Sequence, residues 1–255
     1  MRKFKLLPRK LLLLIILMSS ITIVEAKDIK AKLTWFNVTK LSFRVNGIIA
    51  NILVKPGDHI KIKQKLIYLD QREFTDNVKL TNSLQISRKS DLNEAKRELD
   101  RSIELFDRTV LSEHELQIVK NDFIVSETRY VTANINWLKS KRDLEFSNIV
   151  APFNAIVLEL FVNKYETVIS SFKASPAIVI AAADKIAATF MLNADDVSKL
   201  KENELVEVEI KGSIYKGKLF FPSLLTTDTL YPVSALISIP YGSVRSGMDV
   251  IVKIK

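Results

Sequence analysis

The chain has 255 residues, 47% of them hydrophobic, with 38 Lys and Arg against 29 Asp and Glu and no cysteine. That is enough apolar material for a substantial core, in one to three domains. The missing cysteines exclude a thiol-anchored lipoprotein, a disulfide framework, a zinc site of cysteines and a cysteine nucleophile.

Residues 1–26 predict a secretory signal peptide. Arg2, Lys3, Lys5, Arg9 and Lys10 form a basic start, Leu11 to Met18 is unbroken apolar sequence, and Val24-Glu25-Ala26 offers a small-residue cleavage site. The rival, an uncleaved anchor, needs ~20 apolar residues. The stretch from Leu11 to Val24 is shorter and is interrupted by Ser19, Ser20 and Thr22. Cleavage leaves 33 basic against 28 acidic residues, having removed five and one. No run of Lys and Arg is interleaved with aromatics, so nucleic acid is not an expected partner.

From Ala31 to Leu69 the pattern is β. Leu41, Phe43 and Val45 alternate with polar residues, Gly47 marks a bend or close approach, and Lys55-Pro56-Gly57-Asp58 is a strong turn signal. Ile60, Ile62, Leu66, Ile67 and Leu69 resume the strand character.

The stretch from Asp70 to Leu144 then predicts two long amphipathic helices folded back on each other. Leu116, Val119, Phe123, Ser126, Tyr130, Ala133, Trp137, Ser140 and Leu144 alternate spacings of three and four. Upstream, Phe74, Val78, Leu92, Ala95, Leu99, Ile103 and Phe106 supply the partner seam, blurred by Arg88 and Asp91. Glu104 and Arg108 are set as an i,i+4 pair. Asp70-Gln-Arg-Glu73 and Ser112-Glu-His-Glu115 each fit a capping box, which puts the turn near Thr109 to Ser112. Folding there pairs Val78 with Leu144 and Phe106 with Leu116. A generic dimerising coiled coil is the plainer reading of the same pattern.

β character returns at Ile149 to Phe153, Ile156 to Val162, Val168-Ile169 and Ala177 to Ala181. A small β unit is therefore split around the helices, and because both helix ends return to one place, its halves can pair. Residues 184–255 predict a barrel: Thr189 to Leu192, a short helix from Asp195 to Leu200 capped by Ala194-Asp195, Val206 to Ile210, a turn at Gly212-Ser213, Leu219 to Phe221, Val233 to Ile239 and Val250 to Ile254. Residues 28–40 donate a further strand.

Catalytic chemistry is not visible. His59 and His114 have no partnered nucleophile in view, Asp195-Asp196 suits helix capping, and there is no Gly-rich phosphate loop or metal-ligand spacing. Neither an enzyme, a cofactor nor a metal is expected. A lipoyl or biotin carrier would need its modifiable Lys at the turn that the helices occupy.

Val45-Asn-Gly47, Val54-Lys-Pro56-Gly57-Asp58-His-Ile60 and Leu66-Ile-Tyr-Leu69-Asp70 resemble the first lipoyl half-motif of periplasmic adaptor (membrane fusion) proteins. Ala151-Pro152-Phe153-Asn154-Ala155 resembles the opening of the second half, and Ser246-Gly247-Met248 the end of the family's β-barrel. Arg101, Leu105 and Ser112 match the spacing of the hairpin-tip residues that, in the branch serving resistance-nodulation-division (RND) pumps, dock to the outer-membrane channel. Lys63, Ala155 and Tyr165 stand where glycines are usual, and Asn154 where Asp is usual. A left-handed turn penalises Tyr, so other turn types are expected in the second half. The chain also stops at Lys255, so the membrane-proximal domain of longer members looks absent.

The expected architecture is an elongated α+β multidomain chain: a long α-helical hairpin inserted in a split lipoyl-like β domain, followed by a small β-barrel. The divisions are a signal peptide (1–26), a barrel (27–42 with 184–255), a lipoyl-like barrel-sandwich hybrid (43–70 with 145–183) and the hairpin (71–144). The resemblance implies a periplasmic adaptor of a tripartite efflux pump, exported by a cleaved leader and held at the inner membrane through its pump. It implies partnership with an inner-membrane transporter and a TolC-like channel, and a homo-oligomer, a hexamer by analogy. The alternatives are a type I secretion adaptor, or a coiled-coil envelope scaffold with no transport role.

Overall fold

The structure, a computed structural model, describes residues 27–169, 175–223, 225–226, 229–238 and 244–254. The expected leader over residues 1–26 lies outside them, as does Ile239 at the end of an expected strand. In chain order the elements begin with β1 (Lys27–Trp35), β2 (Thr39–Leu41), β3 (Gly47–Ile52), β4 (His59–Ile60) and β5 (Lys65–Leu69). Two long helices follow, α1 (Arg72–Asp107) and α2 (Glu113–Phe146). Then come β6 (Asn148–Val150), β7 (Ala155–Leu160), β8 (Thr167–Val168), β9 (Ile178–Ala182) and β10 (Lys185–Leu192). The short helix α3 (Ala194–Val197) leads to β11 (Leu205–Ile210), β12 (Ser213–Phe220), β13 (Tyr231–Ser238) and β14 (Asp249–Ile254).

The chain divides into two compact units, one of residues up to Phe36 with Asp184 onward, the other Asn37–Ala183. The first is a closed barrel in the order β1-β10-β13-β12-β11-β14. Alternate residues of each strand point inward, among them Leu33, Ile186, Phe190, Val208, Leu219, Val233, Ile237 and Val252, and they form one continuous apolar core. Gly217 keeps that core closed, because a Cβ there would lie 3.3 Å from the Ala235 Cβ and 3.4 Å from a Val208 methyl. The cap of α3 is Asn193, whose side chain accepts the Asp196 N–H at 2.8 Å, rather than the Ala194-Asp195 pair expected. An amide oxygen one residue before the helix reaches the free N–H groups that Ala194 cannot.

In the second unit, two four-stranded sheets, β2-β9-β7-β4 and β6-β5-β3-β8, enclose a separate core built from Ile49, Leu66, Leu69, Val157, Ile178 and Ile180 among others. Each sheet mixes strands from both sides of the helices: β4 pairs with β7, β5 with β6, β3 with β8 and β2 with β9. Neither half has a complete sheet alone. Residues 39–41 belong here, so the chain has left the barrel by Phe36 rather than at residue 42.

The helices α1 and α2 run antiparallel. Thr81 and Ser140 hydroxyls meet at 2.7 Å across the pair, within one residue of the register that pairs Val78 with Leu144. A helix of 36 residues is about 54 Å long at ~1.5 Å per residue. Neither it nor any other described helix is apolar enough to cross a membrane. Both helices start and end at one tie: the Leu69 N–H donates to the Ser147 carbonyl at 2.9 Å, and the Gln71 amide donates to the Ser147 hydroxyl at 2.9 Å and the Asn148 side chain at 3.0 Å. The Arg44 guanidinium lies 3.8 Å over the Phe146 ring beside it.

Candidate functional site

The residues singled out from the sequence fall into two groups, a set of turns in the split β unit and the far end of the helix pair. In the turn Lys55-Pro56-Gly57-Asp58, the Asp58 N–H donates to the Lys55 carbonyl at 3.1 Å and the Asp58 carboxylate accepts the Lys55 N–H at 3.0 Å. Gly57 takes the left-handed φ of +92° that this turn needs. The same double bond recurs at Lys61–Gln64 and Asn163–Glu166, with Lys63 at φ +65° and Tyr165 at φ +71° in the glycine position. The barrel repeats it at Lys201–Glu204 with Asn203 at φ +65°. The second half thus keeps the same turn, against the expectation of other turn types. The acceptor side chain three residues on, together with the strand pairing, holds Tyr165 in a conformation costing ~1–2 kcal/mol.

Gly47 opens β3 directly against Leu69, where an added Cβ would sit 2.9 Å from a leucine methyl. The Ala151-Pro152-Phe153 segment is clamped onto the Lys61–Gln64 turn. The Ala151 N–H donates to the Gln64 carbonyl at 2.9 Å, the Lys63 N–H donates to the Ala151 carbonyl at 2.7 Å, and Asn154 accepts the Ile62 N–H at 2.9 Å. Ala151 is buried and Phe153 packs on the core, so this motif joins the two halves of the unit.

The helix pair departs from the expected seam in one instructive way. In α2, Leu116, Ala133 and Ser140 are buried and the other expected positions are half-buried. In α1 the seam runs through Val78, Thr81, Gln85, Arg88, Leu92, Ala95, Leu99 and Ser102. Ser102 is 3% exposed whereas Ile103, the expected seam residue, is 39% exposed. Strict alternation of three and four from Leu99 falls on residue 102, and helical geometry prevails over hydrophobicity there. Polar groups thus lie between the helices while Ile118, Ile124, Val125, Val131, Ile135 and Leu138 lie outward on α2. The stripe from Gln117 to Leu138 that holds these residues is uncharged, flanked by the exposed Lys120, Asp122, Glu127 and Arg129.

The Asp70 capping box does not form. The first helix has Gln71 at its cap, whose side chain makes no capping bond, because Arg72 captures Asp70 through its backbone N–H at 3.1 Å and its guanidinium at 3.0 Å. The guanidinium bond holds the Asp70 carboxyl down at about 2. The second box forms as read: the Ser112 hydroxyl accepts the Glu115 N–H at 3.3 Å, and the Glu115 carboxylate accepts the Ser112 N–H at 2.9 Å and hydroxyl at 2.6 Å. That hydroxyl bond, first among the causes, lowers the Glu115 pKa.

Between the helices the chain makes a C-terminal cap in which the Thr109 N–H donates to Phe106 at 2.8 Å and the Val110 N–H to Leu105 at 2.9 Å. Thr109, a β-branched residue, occupies the glycine position at φ +59°. Arg101 is exposed and pairs with Glu98 at 3.1 Å, and Leu105 is half-buried one turn on. Glu104 and Arg108 form no ion pair among the described residues, since Arg108 is the C-cap and has left the helical row. Sequence reasoning missed Val110, which is 69% exposed, and gave Phe106 wholly to the seam although it is 38% exposed. Among the described residues no cluster of three or more ligating side chains could hold a metal.

A six-stranded barrel, and a β unit whose halves flank a long antiparallel helix pair, make a fold that this chain shares with a membrane fusion protein and with MacA. The chain is 25% identical over 191 residues to the macrolide export protein MacA of Yersinia pestis, a match covering 69% of this chain and 51% of that protein. It therefore spans about half the length of the curated relative it matches. MacA from Actinobacillus actinomycetemcomitans superposes with a TM-score of 0.72 at 19% identity, over 90% of this chain and 78% of that one. The membrane fusion protein Spr0693 from Streptococcus pneumoniae R6 gives 0.69 at 16% identity, over 90% and 98%. No family model matches the chain.

Proposed function

We propose that the chain is a periplasmic adaptor subunit of a tripartite efflux assembly, bridging an RND-type inner-membrane transporter to a TolC-like outer-membrane channel. The observation that carries this is the antiparallel helix pair, about 54 Å long at ~1.5 Å per residue, rooted at one tie in a β unit that its own insertion divides. A rigid rod with both ends at one place serves to reach a second body. The export role in the name of the MacA relative supports the reading; its macrolide does not carry over, because an adaptor need not select the compound.

In this reading residues 1–26 are a cleaved leader, and the protein works in the periplasm, held at the inner membrane through its pump. Residues 27–36 with 184–255 are the barrel domain, residues 37–70 with 147–183 the lipoyl-like domain, and the helix pair the docking hairpin. Arg101, Leu105 and Ser112 mark its docking end. The uncharged outer stripe of α2, with Ile124, Val131, Ile135 and Leu138 exposed, is where neighbouring hairpins pack side by side in a collar of six. Apolar stripes of this length are uncommon on a helix that stays solvated.

The chain has no cysteine, so a single one placed at Leu105 gives a clean test. In whole cells it is expected to crosslink to an outer-membrane channel. Crosslinking only to copies of itself would sink the adaptor reading and favour an envelope scaffold.

A further inference from the structure

We infer that the net acidic end of the helix pair grips its partner through an apolar cap of Phe106 and Val110, with Ser112 shaping the turn rather than touching the partner. The occupant is a protein surface that offers an apolar socket edged by Lys or Arg. This rests on the adaptor reading and specifies the chemistry of its docking end.

Phe106 continues the seam phase of α1 four residues after the buried Ser102, yet it is 38% exposed because the helix pair ends there. Val110 follows the left-handed Thr109 and is 69% exposed, its N–H tied back to Leu105 at 2.9 Å. The backbone bonds from Thr109 to Phe106 and from Val110 to Leu105 fold the two side chains' positions onto one end of the rod. Residues 98–115 carry Glu98, Asp100, Glu104, Asp107, Glu113 and Glu115 against Arg101, which pairs with Glu98, and Arg108, so this end of the rod is net acidic. Two such ends repel each other, and an anionic lipid surface repels either, so charge complementarity selects a basic-rimmed protein partner. Ser112 is already committed: its hydroxyl donates to Glu115 at 2.6 Å and accepts the Glu115 N–H at 3.3 Å.

The probe is the host's purified TolC-like channel in detergent, titrated with the full secreted chain. The double variant Phe106→Ser with Val110→Ser is expected to weaken binding by about 30-fold, with helix content by circular dichroism unchanged. Ser112→Asn, which keeps a capping side chain but loses the hydroxyl, is expected to bind within about threefold of the parent. Raising NaCl from 50 to 500 mM is expected to weaken binding by about tenfold or more. If the double variant binds like the parent, or Ser112→Asn fails while folded, the apolar-cap proposal is overturned and the adaptor reading stands. If the parent ignores the channel but self-associates in sedimentation, or binds phosphatidylglycerol vesicles, both fall together.

Discussion

The barrel turns its large apolar residues inward, whereas the helix pair divides its own between the seam and an outer face. Inside the barrel Leu33, Val208, Leu219, Val233 and Ile237 are fully buried, and a Cβ added at Gly217 would press on Ala235 at 3.3 Å. Between the helices lie Thr81, Gln85, Ser102 and Ser140, while Ile124, Val131, Ile135 and Leu138 face outward. A barrel closes on itself and removes its own edges. A two-helix rod buries only one stripe of each helix, so an apolar outer face has no use unless another surface covers it. The barrel carries its stability internally, whereas in the proposed collar the rod would draw on its neighbours.

The contrast can be broken or sharpened by substitution. Leu219→Ala in the barrel is expected to cost about 2–5 kcal/mol in denaturant unfolding; a cost below about 1 kcal/mol would mean the barrel core is not the tight enclosure described. Ser112→Ala is expected to cost about 1 kcal/mol, seen as faster hydrogen exchange at the start of α2. Its pH dependence follows from the lowered Glu115 pKa. The carboxylate's contribution is fully present above the ordinary glutamate value of ~4.3 and is lost as pH falls through the lower folded value, so the gap between parent and variant narrows in acid to what the Glu115 N–H bond to the Ser112 hydroxyl supplies. No narrowing would mean that the box is not held by the charged carboxylate.

Thr109→Gly runs the other way, relieving a left-handed β-branched residue and stabilising by about 1 kcal/mol; a loss of stability on thermal unfolding would refute the strain. Smallest of all, Ile135→Ser on the outer face is expected to change monomer stability by less than about 0.5 kcal/mol, while lowering self-association in sedimentation. If it unfolds the monomer instead, the outer face is not free and the contrast between the two regions fails.

Much of the architecture was legible because the physics that sets it is periodic. The α2 seam from Leu116 to Leu144 was readable residue by residue, since apolar and small side chains fell on the three-four spacing without interruption. On α1 the polar Thr81, Gln85 and Ser102 hid the same spacing, and Ile103 drew the reading one position off. The Lys55–Asp58 turn was visible through Pro56 and Gly57, whereas Lys63, Thr109 and Tyr165 give no local sign of a left-handed backbone, which tertiary pairing imposes. Asp70 was misread for a related reason: a capping pattern does not disclose that Arg72 competes for the same carboxylate. At the far end of the rod, Arg101, Leu105 and Ser112 were singled out through the resemblance to the adaptor family, and they lie at the end of α1 and the cap of α2. The exposure of Phe106 and Val110 depends on where the helix pair stops, which no hydrophobic pattern encodes.

The tie of Leu69 and Gln71 to Ser147 and Asn148 brings the two roots of the rod together within the β unit. Reach is thereby uncoupled from foundation. Seven residues added to each helix at facing positions would lengthen the span by about 10.5 Å while the bonds beneath stayed as they are. The length of the rod is thus an adjustable dimension, tunable by whole heptads without re-engineering what it stands on.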